Sequence, residues 1–133
     1  MKIIKDSKIT IEPQVNDVLW DKITSVDEPS IIVHEPMRPG HYNNLIKKIQ
    51  SQHFEAPTLF VREIEIESFP RVITNKKNII TGYEPFIKYE NEYGSVGIIY
   101  VDKYKKRTPD ETIYDMINNL IEEKRLQVRK INE

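Results

Sequence analysis

The sequence predicts an α+β fold: a mixed, mostly antiparallel sheet with two or three helices packed on one of its faces. Three observations predict it. Tyr42, Leu45, Ile46 and Ile49 recur at helical spacing. Strand-like segments recur at Ser30 to His34, Thr58 to Glu67 and Ser95 to Tyr104. Thr108-Pro109-Asp110-Glu111 spells a helix start.

Taken in order, Ile3-Ile4, a turn at Asp6-Ser7 and the alternating Lys8 to Glu12 read as an N-terminal hairpin. Asn16 is placed to cap a short helix carrying Val18, Leu19, Ile23 and Val26, although Trp20 falls off that stripe and leaves a strand open there. Ser30 to His34 is apolar throughout and closed by Pro36, as a buried strand is. Pro39-Gly40 then opens a helix that ends near Phe54, ahead of Pro57. The strand from Thr58 follows, with Leu59 and Val61 opposite Phe60, so strand, helix and strand form a parallel crossover. Arg71 to Thr74, Ile79 to Thr81 and Phe86 to Glu90 are further strands. The last of these pairs with Ser95 to Tyr104 across a turn containing Gly94. Val96 to Val101 is apolar on both faces and belongs at the centre of the sheet. In the final helix, Thr108 and Glu111 would cap reciprocally, and Ile113, Ile117, Leu120 and Ile121 form the buried stripe up to about Arg125. Leu126 to Val128 either continues that helix or adds an edge strand.

The 133 residues suit one domain spanning 1–133. With no cysteine, its core must stand without disulfides or thiolate zinc, and a Cys nucleophile is excluded. The first residues break into charge at Lys2, Lys5 and Asp6, so no leader is expected. No run reaches the ~20 apolar residues of a membrane span, and a cytoplasmic, membrane-free protein is expected. Basic and acidic residues balance at 20 and 21, net −1, which removes any global attraction to nucleic acid. The usage is skewed, with 21 Ile, 14 Lys and a single Ala. That bias suits an AT-rich genome and is compatible with a phage or mobile-element accessory protein.

The densest group of chemically capable residues is His34-Glu35-Pro36-Met37-Arg38-Pro39-Gly40-His41, a loop leaving a strand and entering a helix. Helix-start amides attract anions, and Arg38, Gly40 and His41 are the candidate anion-binding residues, Arg38 offering a bidentate grip. His34 and His41 are the candidate proton-transfer residues. The same segment also fits a rigid two-proline connection. The three histidines, at 34, 41 and 53, show no metal-ligand spacing, and no metal or cofactor is expected. Glu63, Glu65 and Glu67 share a strand face that reads as solvated. Lys103-Tyr104-Lys105-Lys106-Arg107 is a basic run with an aromatic inside it, which fits either a single-stranded nucleic-acid contact or a charged loop guarding a sheet edge. Five of the seven Tyr fall between Tyr83 and Tyr104, and Tyr is enriched at interfaces. The leading expectation is therefore a non-enzymatic binding or accessory protein engaging a protein partner or itself. The alternatives are nucleic-acid binding through residues 103–107 and a small hydrolase or phosphate-handling enzyme at the 34–41 loop.

Overall fold

A computed structural model describes residues 1–9, 18–36, 39–63, 71–84 and 93–131. Ten strands and two α-helices lie along them: β1 (Lys2–Lys5), β2 (Val18–Leu19), β3 (Ser25–Val26), β4 (Ser30–Val33), α1 (Pro39–Gln50), β5 (Thr58–Glu63), β6 (Arg71–Thr74), β7 (Ile80–Glu84), β8 (Tyr93–Val101), β9 (Tyr104–Lys105), α2 (Ile113–Glu122) and β10 (Gln127–Lys130). A one-turn 3₁₀ helix covers Trp20–Lys22.

The main sheet has the order β10-β5-β8-β4-β1-β2, with the β6–β7 hairpin joined to β8. It is mixed. β1 runs parallel to both β2 and β4, and β10 is parallel to β5, whereas β8 is antiparallel to β4 and β5. The apolar run on both faces of β8 accordingly sits between two strands, where neither face meets water. Since β4 and β5 each oppose β8, they are parallel to one another, as the strand-helix-strand pattern predicts, but β8 is inserted between them.

The expected N-terminal hairpin does not form around β1. Both of its edges are taken by parallel neighbours, which leaves no ladder for an antiparallel return. Residues 10–12 of that expectation lie outside the described residues, as do 64–70 and the strand expected at 86–90. The short helix expected after Asn16 is replaced by β2, the 3₁₀ turn and β3. Trp20 drives this change: its buried indole donates to the Glu111 carbonyl at 2.7 Å, a tertiary bond that an off-stripe residue on a helix could not reach.

The helices do not share a face. In β4, Ile32 faces one core while Ile31 and Val33 face the other, as alternation along a strand requires. Met116, Ile117 and Leu120 of α2 pack with Ile32, Leu59, Val61 and Ile99. Tyr42, Leu45, Ile46 and Ile49 of α1 pack on the opposite side with Ile31, Phe60, Ile98 and Tyr100. Among the described residues the sheet is therefore covered by one helix on each side, and the expectation of helices on one face is corrected. Phe54, just after α1, stacks on Tyr100 with centroids 4.3 Å apart.

α2 starts four residues later than the Thr108 signature predicts. Its N-cap is Thr112, whose hydroxyl accepts from the Asp115 N–H at 3.1 Å while Asp115 accepts from the Thr112 N–H at 3.0 Å. Glu111, which the sequence assigns to a local cap, is buried and accepts from the Tyr104 hydroxyl and the Asn119 amide, each at 2.6 Å. A tertiary bond of a carboxylate to two interior donors outweighs one exposed capping bond. The helix closes with Lys124 in the left-handed region, φ 56°, and the Arg125 N–H returning to the Leu120 carbonyl. Ile121 is only partly buried, and Met116 takes its expected place in the core. Beyond the helix, the chain adds β10 as a parallel edge strand.

Candidate functional site

The order of the strands places a topological switch point between β1 and β4. From β1 the chain moves outward to β2, whereas from β4 it moves the other way through α1 to β5. Two adjacent parallel strands whose connections leave in opposite directions part at their carboxyl ends, and ligands of open α/β sheets bind in that gap. Here that switch point is bordered by Asp6 and Ser7 after β1 and by His34 and Glu35 after β4.

Backbone and side-chain bonds fix both lips. The Asp6 N–H donates to the Val33 carbonyl at 3.0 Å, holding the first loop to β4. Its own carboxylate accepts from the Lys8 N–H at 2.9 Å, a local turn typical of Asp. The Ser7 hydroxyl donates to the Asp21 carboxylate on the 3₁₀ turn. On the other lip, the His34 N–H donates to the Gly97 carbonyl at 2.8 Å. Gly97 has φ 88°, and a Cβ there would overlap the Glu35 side chain, so only glycine lets β8 pass this close. Tyr114 reaches in from α2, donating to Glu35 Oε1 and, at 3.4 Å, to the His34 carbonyl. Its ring meets the His34 imidazole edge-on, with centroids 5.8 Å apart.

The electrostatics separate the two residues. His34 is fully enclosed, and burial drives its pKa down to about 3, so the imidazole is neutral across the physiological range. The Glu35 carboxyl is a quarter exposed. Loss of water raises its pKa, the Tyr114 hydrogen bond opposes that rise, and the Asp6 charge adds to it. Glu35 is thus the reachable titrating group, held on one side by a phenol and open on the other. Such a carboxyl can accept a hydrogen bond from a ligand or exchange a proton with it. His34 instead supports the lip from behind.

The remaining candidates are scattered. Arg38 and the His41 side chain lie outside the described residues, and Gly40 is exposed in the first turn of α1, with open space where a Cβ would stand. His34 precedes α1 and His53 follows it, so the helix, about 18 Å long, separates them. The His53 carbonyl accepts from Arg129 at 3.2 Å. Glu65 and Glu67 lie outside the described residues, as does the Glu63 side chain. Among the described residues no group of three or more acidic or His side chains is placed to hold a metal ion, and no helix is long and apolar enough to cross a membrane.

Alternation divides the basic run. Lys103, Lys105 and Arg107 are exposed, while Tyr104 and Lys106 turn inward. Lys106 lies 4.5 Å over the Trp20 ring and donates to the Trp20 carbonyl at 2.8 Å. Burial lowers its pKa, partly offset by the Asp21 and Glu111 charges. Tyr100 and Tyr104, counted in the sequence among interface tyrosines, are core residues, and so is Tyr42. The sequence reading did not single out Asp6, Gly97 or Tyr114. The signal for the first two was a polar residue just past an apolar strand and a glycine inside one. No sequence pattern marked Tyr114.

No protein-family model matches the chain, and no curated protein matches it. Among solved structures, a protein described as a glucose-1-phosphate thymidylyltransferase from Bacillus anthracis, in complex with sucrose, is 13% identical with a TM-score of 0.49, over 80% of this chain and 47% of that one. A CMP:2-keto-3-deoxy-manno-octonic acid synthetase complexed with CTP is 12% identical with a TM-score of 0.39, over 78% of this chain and 53% of that one. The chain spans about half the length of each, and no functional statement about it follows from either.

Proposed function

We propose that this chain is a small-ligand-binding domain whose site is the crevice at the carboxyl ends of β1 and β4, with Glu35 and Tyr114 as its contact groups. The observation that carries the reading is the reversal of connection direction between those two strands, beside a quarter-exposed carboxyl of raised pKa. Asp6, Glu35 and Tyr114 present oxygen acceptors, and the crevice therefore suits a polar ligand rich in N–H or O–H donors, such as a polyol, an amide or an amine. This departs from the expectation of an anion or phosphate site at the 34–41 loop: His34 supports rather than transfers protons, and Glu35 takes the reactive position. A protein partner draws less support, because Tyr42, Tyr100 and Tyr104 are buried and Met1 is the exposed large apolar residue among those described.

The test is a thermal-shift screen of polyols, amides, amines and nucleosides against the wild type and Glu35→Gln. Saturable stabilisation of the wild type that Glu35→Gln weakens supports the reading. Stabilisation that is equal in both proteins contradicts it.

A further inference from the structure

A second cleft, of about 730 Å³, opens between the β3–β9 ribbon and the end of α2, and it owes nothing to the crevice above. Its volume falls in the range of roughly 300–1,000 Å³ usual for small-molecule sites. Four cations line it: Lys103, Lys105, Arg107 and Arg125. Asp27 and Glu123 oppose them, which leaves an excess of two positive charges in a chain whose net charge is −1.

The two arginines are fixed in place. Arg125 binds Glu123 Oε2 at 3.1 Å and the Lys103 carbonyl at 3.0 Å, and Arg107 binds Glu123 Oε1 at 3.2 Å. One carboxylate therefore serves both guanidiniums, and Arg125 first, then Arg107, hold it below the usual carboxylate range. The Lys103 and Lys105 side chains are exposed and make no ion pair among the described residues. Both, like Arg107, are exposed and line the cleft. Thr24 and Ser25 add hydroxyls on the facing strand, Ser25 donating to Asp27 at 2.8 Å.

We propose that this cleft binds a small phosphate ester, gripped by Lys103 and Lys105 against the fixed Arg107 and Arg125. Phosphate oxygens accept charge-assisted bonds from several cations at once, and a compact pocket with two free ammonium groups provides them. The cleft favours a small ester over a nucleic-acid strand because Asp27 and Glu123 interrupt the basic surface that a continuous backbone would need.

The experiment titrates the intact chain with inorganic pyrophosphate in a calorimeter at constant ionic strength. The wild type is compared with the exposed-site variants Lys103→Gln/Lys105→Gln and, as a charge-matched control on the β6–β7 turn, Lys76→Gln/Lys77→Gln. A dT₁₀ oligonucleotide forms a parallel arm. The proposal predicts saturable pyrophosphate binding that weakens by about tenfold or more in Lys103→Gln/Lys105→Gln and is retained in the control. Circular dichroism verifies that each variant is folded, and single Lys105→Gln gives an intermediate loss. Absence of pyrophosphate binding, or equal weakening in both double variants, overturns the proposal. Oligonucleotide binding without a pyrophosphate response overturns it in favour of a strand contact.

Discussion

The Tyr114 hydroxyl of α2 donates to the Glu35 carboxylate across 79 positions of sequence, tying the helix on one face of the sheet to the carboxyl end of β4. That bond favours the ionised carboxylate and works against the burial that raises its pKa. In Tyr114→Phe the opposing influence is lost, and the Glu35 pKa rises further. Side-chain carboxyl NMR titration checks this; an unchanged or lower Glu35 pKa would show that the phenol does not govern the site.

The start of α2 makes two threonines distinguishable. Thr112→Ala removes the hydroxyl that accepts from the Asp115 N–H, leaving only the reciprocal bond to the backbone, and should cost about 1 kcal/mol. Thr108→Ala, at an exposed turn residue whose hydroxyl caps no helix, should stay within about 0.5 kcal/mol. Urea denaturation of the two variants separates them, and the reverse order would return the helix start to Thr108.

Within the basic run, adjacent lysines should behave differently. Lys106→Met leaves the buried Trp20 carbonyl without its donor and removes the cation from the indole face, costing about 1–3 kcal/mol. Lys105→Met changes an exposed side chain and should be within about 0.5 kcal/mol. Equal losses on thermal denaturation would mean that Lys106 is not an interior residue.

How far these features were legible in the sequence differs by element. β4, α1, β5 and β8 were legible because apolar spacing reports the burial of a local segment directly. The side of the sheet was not, since the stripe of Ile113, Ile117 and Leu120 says that α2 has a buried face without saying which face of the sheet receives it. The Thr108 signature misled because Glu111 answers to Tyr104 and Asn119, partners that only the tertiary fold brings near. The parallel pairing of β1 with β4 leaves no turn signal, as the paired residues lie 28 positions apart at Ile3 and Ile31. For the site, Glu35 stood inside the segment singled out, but its working partners Tyr114, Gly97 and Asp6 come from three other elements.

Acid should destabilise the fold through His34. Its pKa is 6.5 in an ordinary setting and about 3 when enclosed here, so between those values the unfolded chain binds more protons. Stability then falls as pH drops below 6.5, with a slope approaching about 1.4 kcal/mol per pH unit from this one group. Glu35 acts in the opposite sense: its raised pKa makes its contribution largest in acid and smaller as pH rises through that pKa. Being the smaller shift, it lessens the slope without reversing it. His34→Gln should flatten the profile between pH 4 and 6.5 by about one proton; an unchanged slope would place the titration elsewhere.

The most direct test of the central claim is a map of backbone amide shifts on the labelled chain during titration with the polar ligands that stabilise it. The crevice account predicts that the shifted amides cluster at Asp6, Ser7, His34, Glu35 and Gly97, and that Glu35→Gln removes the shifts. Saturable binding whose shifts fall outside this cluster, with Glu35 and Gly97 unmoved, would contradict it.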